Sequence, residues 1–153
     1  MATSPKLSPF LWFDGRSEEA AEFYVSVFPN SRMLRVSVIS EGPAKGEALV
    51  EFELDGQKFG AVDGGPMFSF TPAISFVISC DSQEEIDYYW DRLSEDGEPG
   101  RCGWLEDKFG LSWQVIPSVL PVLMEGNTSK LMEALLSMGK IDIEALRQAA
   151  ESG

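Results

Sequence analysis

Between Glu18 and Phe28 the chain reads EEAAEFYVSVF, and Ala20, Phe23, Tyr24, Val27 and Phe28 recur at i, i+3, i+4, i+7 and i+8. That spacing lines one side of an α-helix and predicts a helix facing a core. Upstream, PFLWF (9–13) is a short apolar aromatic run closed by DGRS (14–17), a strand followed by a turn. Downstream the period changes to two. RMLRVSVIS (32–40), EALVEFEL (47–54) and QKFGAVD (57–63) read as strands, and Asp55-Gly56 between the last two is a two-residue hairpin turn.

The same order returns 66 positions later. AISFVIS (73–79) is strand-like, CDSQ is a turn, and EEIDYYWDRL opens a helix with Ile86, Tyr89, Trp90 and Leu93 at i, i+3, i+4 and i+7. Glu18 and Glu19 fall on Glu84 and Glu85, and Phe23 and Tyr24 on Tyr89 and Trp90. Asp81 with Glu84 three residues on resembles a capping box. A weak strand near 97–100, then RCGWLED and LSWQVIP joined through KFG, complete the second set. The chain thus reads as two β-α-β-β-β modules, 6–64 and 71–117, linked by GGPMFSFTP (64–72). Past Pro117 the pattern is helical: SVLPVLMEG, then TSKLMEALLSMG with Gly139 as the expected C-cap, then DIEALRQAA after Asp142. One α+β domain over 1–153, with a helical tail over 118–153, is the expected organisation.

Composition narrows the partners. Hydrophobic residues at 44% and aromatics at 11% mark a folded domain with its own core. No apolar run approaches the roughly 18–20 residues that span a bilayer. MATSPKLSPF lacks the charged and apolar regions of a secretory signal, so a cytoplasmic location is expected. A net charge of −13 repels phosphate backbones and anionic lipid, so neither nucleic acid nor membrane is an expected partner. Cys80 and Cys102 do not make a disulfide framework. With no histidine in the chain, Ser-His-Asp triads, Cys-His pairs and histidine-rich metal sites are excluded together.

The densest chemistry lies in GRCGWLEDKFGLSWQ (100–114). Alternation sends Leu111, Trp113 and Val115 under the helices and turns Ser112, Gln114 and Ile116 to the opposite, concave side. On the preceding module strand it sends Ile74, Phe76 and Ile78 inward and leaves Ala73, Ser75 and Val77 facing a cavity. Gln114 is either a hydrogen-bonder for a ligand or a strand glutamine bonded to its neighbours. Trp12 either lines the cavity or fills the core. Cys102 is the candidate nucleophile, with Arg101 and Lys108 as nearby charges, or else a half-buried strand cysteine. Cys80 precedes a helix N-terminus and has a similar thiolate argument. Trp104, two residues beyond Cys102, shares its face if the strand is regular. Asp107 to Gly110 is a turn, and Glu51 and Glu53 mark a solvated strand face.

PFLWFDGRSEEAAEFYVSVFPNS, FELDGQKFGAVDGGP, CGWLEDKFGLSWQVIP and SMGKIDIEAL together resemble the vicinal-oxygen-chelate superfamily of glyoxalases, bleomycin-resistance proteins and extradiol dioxygenases. They are closest in kind to its PhnB-like branch, whose members carry the label 3-demethylubiquinone-9 3-methyltransferase. The resemblance implies two βαβββ modules forming a curved mixed sheet around a cavity. It also implies four inward-facing metal positions. These fall here at Ser8 or a neighbour, between Gly60 and Asp63, at Ala73 and at Gln114, a thin donor set for a hard cation. A methyltransferase of the usual kind would need a glycine-rich strand-to-helix turn, whereas VDGGP leads to a strand. The expectation is therefore a binding protein for a small hydrophobic or aromatic molecule, with no cofactor, no metal and no catalytic residue. Trp12, Asp63, Ser75, Cys102, Trp104, Ser112 and Gln114 are its candidate ligand contacts. The alternative is an enzyme of the same superfamily, a metal-dependent lyase or dioxygenase, or the methyltransferase of the label. Leu131, Leu135 and Met138, widened by Leu136, form a tail stripe that needs a surface on its own chain or on a second one. The resemblance and this stripe together predict a homodimer.

Overall fold

The computed structural model describes residues 6–126 and 128–152. Half of the N-terminal stretch 1–10 lies outside them. The chain divides into two compact units, Met1–Ser69 and Phe70–Gly153. The division falls inside the 64–72 link.

In the first unit, β1 (Phe10–Phe13) leads through the turn at Asp14 and Gly15 into α1 (Ser17–Val27). β2 (Arg32–Val38), β3 (Ala48–Leu54) and β4 (Gln57–Asp63) follow. The sheet order is β1-β4-β3-β2, with β1 parallel to β4 and the other pairs antiparallel. Residues in register share a face, so Val50 and Ala61, and Phe52 and Phe59, lie together on one side. α1 contacts β3 most, and Tyr24, Val27, Val50 and Phe52 are all buried. Between β3 and β4, Asp55 (φ 48°) and Gly56 (φ 82°) form the tight turn that DG predicts. β2 stops at Val38, two residues before the expected end.

The second unit repeats the order. β5 (Ser75–Cys80), α2 (Gln83–Ser94), β6 (Glu98–Pro99), β7 (Trp104–Glu106) and β8 (Ser112–Pro117) form a sheet in the order β5-β8-β7-β6, with β5 parallel to β8. Ile86, Tyr89, Trp90 and Leu93 of α2 are buried, as their spacing predicts. The cap is displaced by one residue from its expected place. Ser82 accepts from the Glu85 amide at 3.2 Å, and Glu85 accepts from the Asp81 amide at 2.8 Å. Ile74 is 70% exposed rather than packed under the helix, because the strand begins only at Ser75.

After β8 come α3 (Leu120–Leu123), α4 (Ser129–Ser137) and α5 (Ile143–Glu151). Asp142 caps α5 through the Ala145 amide, as read from the sequence. α4 instead ends at an extended Met138, not at a left-handed Gly139. The reason lies in the next residues, which form a strap. The amides of Cys102 and Gly103 donate to the carbonyls of Met138 and Gly139 at 2.8 and 2.9 Å. Gln83 donates to the Ile141 carbonyl and accepts from the Ile143 amide, both at 2.9 Å, and Lys140 pairs with Asp87 at 3.0 Å. Ile141 is fully buried, its side chain 3.2 Å from where a Cβ on Gly103 would stand. Leu131 and Leu135 are likewise buried within the single chain, so of the two surfaces open to the tail stripe, the chain's own supplies one.

Gln83→Ala removes both ends of this backbone clasp. It is expected to lower stability by about 1–2 kcal/mol and to speed amide exchange at residues 138–146 ahead of the sheet. Guanidinium unfolding with hydrogen exchange checks both; unchanged exchange in the strap contradicts the role given to Gln83.

Candidate functional site

The face of the second sheet turned away from α2 collects four of the sequence-selected residues. Register places Ser75 beside Ser112, Val77 beside Gln114 and Ser79 beside Ile116, while Trp104 stands directly opposite Gln114 and Glu106 opposite Ser112. Gln114 is therefore flanked by an indole on one side and by Val77, 55% exposed, on the other. Its Nε2 donates to Ser75 Oγ at 3.0 Å, which fixes the amide and leaves its oxygen unpaired among the described residues. This is a half-buried polar group with a set orientation, with apolar side chains as its two direct register neighbours.

What keeps this face outward is on the covered side of the same strands. Leu105, Leu111, Trp113 and Val115 are buried, and the Trp113 indole N–H donates to Asp107 Oδ2 at 2.8 Å. Asp107 Oδ1 accepts from the amides of Phe109 and Leu111 at 2.8 and 3.1 Å. Asp107 is only 2% exposed, so this carboxylate closes the β7–β8 turn and holds Trp113 in place. Reading 107–110 as a turn located this residue without its role. The available signal was an Asx turn, an aspartate accepting from its own chain two residues on, with an indole six residues away.

The remaining candidates are otherwise engaged. Trp12 donates its indole N–H to the Gly65 carbonyl at 2.9 Å and meets Phe68 edge-on at 5.0 Å between ring centroids. Asp63 is in register with Phe13, on the α1 side, and its Oδ1 accepts from the Ser17 amide at 2.8 Å. It thereby satisfies one of the amides left without an intrahelical partner at the start of α1. A cleft of about 330 Å³ beside it is lined by Asp14, Glu47, Asp63 and neighbouring glycines. Glu51 and Glu53 do not act as a pair. Glu51 takes Lys58 and Arg35, both at 3.2 Å, and Glu53 takes Arg32 at 2.9 Å. Hydrogen bonding and charge from Lys58, with Arg35 adding, hold the Glu51 carboxyl below its ordinary range.

Neither cysteine matches its expected setting. Cys102 is not in a strand but in the turn before β7, with φ 59°, half-buried, its amide held by Met138. It therefore does not share a strand face with Trp104. Cys80 is buried, and that burial, with the charges of Glu85 and Asp81 adding, pushes its thiol up to about 12. The helix start next to it does not make a thiolate, because Ser82 and Glu85 already cap that end.

The four metal positions implied by the resemblance carry a thin set of donor groups. Ser8 brings a hydroxyl, Ala73 nothing, Asp63 is turned to α1 and Gln114 brings one amide oxygen. Among the described residues, no three carboxylate or cysteine side chains gather. These residues do not fit a hard divalent cation. Nor do they fit an S-adenosylmethionine site of the doubly wound kind, since the residues after β4 run to β5 with no helix between.

Residues 5–116 match the family model described as 3-demethylubiquinone-9 3-methyltransferase. The PhnB protein of Bacillus cereus is 38% identical and superposes with a TM-score of 0.65, covering 74% of this chain and 99% of that one. A Pseudomonas aeruginosa protein at 19% identity gives a TM-score of 0.62 over 74% and 98% of the two chains. The fosfomycin resistance protein FosX of Listeria monocytogenes, at 16% identity, gives 0.55 over 81% and 99%. The last two are similar in fold alone. No curated protein matches the chain.

The Cys80 shift carries a pH dependence with a definite sign. Folding holds this thiol protonated to about 12, whereas its ordinary value is 9.0. Its contribution to stability is therefore full below pH 9 and is lost as the pH rises from 9 towards 12. Wild type is expected to lose more stability than Cys80→Ala over that interval, measured by urea unfolding. At pH 8 a thiol reagent should label Cys102 and spare Cys80 until denaturant is added, which mass spectrometry reads directly.

Proposed function

The chain belongs to the 3-demethylubiquinone-9 3-methyltransferase family, in the PhnB-like branch of the vicinal-oxygen-chelate superfamily, and on that footing we propose that it binds a small hydrophobic or aromatic molecule without a metal. The observation that carries the reading is the row Val77–Gln114–Trp104, with Ser75 fixing the Gln114 amide. An apolar surface with one oriented polar group is the usual make-up of a small-molecule site. In this reading a planar ligand lies on Trp104, Val77 and Ile116 and gives a hydrogen bond to the Gln114 oxygen, while Ser75 holds the amide and Ser112 lines the strand beside it. Trp12 already spends its indole N–H on the Gly65 carbonyl and Asp63 its Oδ1 on the Ser17 amide, so this reading assigns neither a principal role, and it assigns none to Cys102, whose amide is tied to the strap.

The family's name favours a second reading, methyl transfer. Calorimetric titration with S-adenosylmethionine separates the two: saturable binding supports the second, and its absence leaves the first. Elemental analysis of protein purified without chelator tests metal independence, and a stoichiometric divalent metal lost in Gln114→Ala overturns it.

A homodimer is the proposed assembly. Its support is the family resemblance together with Val122, Met124 and Leu136, which stay exposed on the tail. The interface should exceed about 1,000 Å² in total. Light scattering is expected to give twice the 16.9 kDa of one chain, and a monomer at micromolar concentration sinks the proposal.

Ligand binding is tested by thermal shift with a panel of aromatic and quinone-like compounds. Hits are expected to weaken by about tenfold in Gln114→Ala, the value of one lost oriented hydrogen bond, and by more in Trp104→Ala. No stabilisation by any compound, or hits indifferent to both substitutions, would remove the reading.

A further inference from the structure

The duplicated modules end their sheets differently. In the second unit the outermost strand is β6, Glu98–Pro99, two residues long. Proline has no amide to offer and glutamate adds charge, so this edge is closed to pairing in the way sheet edges usually are. The equivalent strand of the first unit is β2, seven residues long, with no proline and no acidic residue in RMLRVSV. A bulge at Leu34 interrupts its register with β3, but Arg35, Val36, Ser37 and Val38 pair regularly with Glu51, Val50, Leu49 and Ala48. Four consecutive residues therefore present an ordinary free edge.

The two faces of that edge differ in chemistry. On the α1 side Val36 is 45% and Val38 70% exposed, beyond the reach of the helix that buries Val50 and Phe52. On the other side stand Arg32 and Arg35, in register with Glu53 and Glu51. Each guanidinium gives only its Nε to its glutamate, at 2.9 and 3.2 Å. The terminal nitrogens of both have no partner among the described residues, on side chains 73% and 71% exposed. An arginine held by Nε offers its outer fork, the geometry that takes a carboxylate through two parallel hydrogen bonds. On this face Arg32, Arg35 and Lys58 outnumber Glu51 and Glu53, in a chain whose net charge is −13.

We propose that the outer edge of β2 docks an extended peptide segment of another protein in which acidic and apolar residues alternate. The segment adds a fifth strand to the sheet, its backbone pairing with residues 35–38. Period-two alternation turns its carboxylates to the open forks of Arg35 and Arg32 and its apolar side chains to Val36 and Val38. A second copy of this chain is the poorer occupant of this edge, because its own β2 has no carboxylate for the forks.

The test uses the full chain and a labelled, end-blocked peptide alternating valine and glutamate over seven residues, with its valine–lysine counterpart as control. Fluorescence anisotropy is expected to show the acidic peptide binding at least about tenfold more tightly than the basic one, with an affinity that falls as salt is added. Amide shifts in a titrated nitrogen-15 spectrum should centre on residues 32–38. Arg32→Glu with Arg35→Glu should invert the preference. Arg32→Gln with Arg35→Gln should abolish it, while both variants keep the wild-type circular dichroism. Equal affinity for the two peptides, no binding of either, or shifts centred outside 32–38 each overturn the proposal. A dimer that dissociates in the arginine variants, with no peptide binding, assigns the edge to a second copy and overturns it as well.

Discussion

A single helix covers only one face of a four-stranded sheet, and each module has one helix packed in that way. The division of each sheet into a buried and an open face follows from this restriction. Because side chains alternate along a strand, the buried set is fixed once one residue is committed, and a slip of one position would exchange the two faces. Phe52 under α1 commits Glu51 and Glu53 to the open side. Trp113 under α2 commits Gln114, and Gln114 in turn faces Trp104 across the ladder. The bulge at Leu34 lets β2 keep both arginines on the same face although they are three residues apart. The candidate binding surface is thus the complement of the core.

Two buried carboxylates sit where the chain turns. Asp63 satisfies an amide at the start of α1, and Asp107 satisfies two amides and an indole between β7 and β8. Each replaces lost hydration with directed hydrogen bonds, which lets an acidic group remain in a protein interior. Asp63, a candidate ligand contact by sequence, therefore also has a structural role at the start of α1. An acid at the end of a strand reads the same in either role until the neighbouring amides are located.

How much was legible follows from the range of the interactions involved. The stripes of α1 and α2, the Asp55-Gly56 turn and the faces of β8 are set by residues within a few positions of one another, and periodicity reports them. The displaced cap at Ser82 is a one-residue ambiguity among Asp81, Ser82, Glu84 and Glu85, which local pattern cannot resolve. Local pattern makes Cys102 a strand residue because the turn that holds it is enforced from 36 residues away, by carbonyls of the tail strap. The end of α4 at Met138 rather than Gly139 has the same origin. The family match stops at residue 116, so the strap lies wholly in the segment beyond it.

The contact between Trp12 and Gly64 has a consequence for how such chains diverge. A Cβ on Gly64 would overlap the Trp12 ring, well inside any tolerated separation. The two positions, 52 residues apart, therefore cannot drift independently. A side chain at 64 is admissible only where residue 12 is smaller or turned aside, and the loss of the indole also frees the Gly65 carbonyl it holds. Across descendants of this sequence the pair should be inherited as a unit, an aromatic with a glycine or neither. Its joint presence marks chains whose link between modules is folded back on the first strand in the same way.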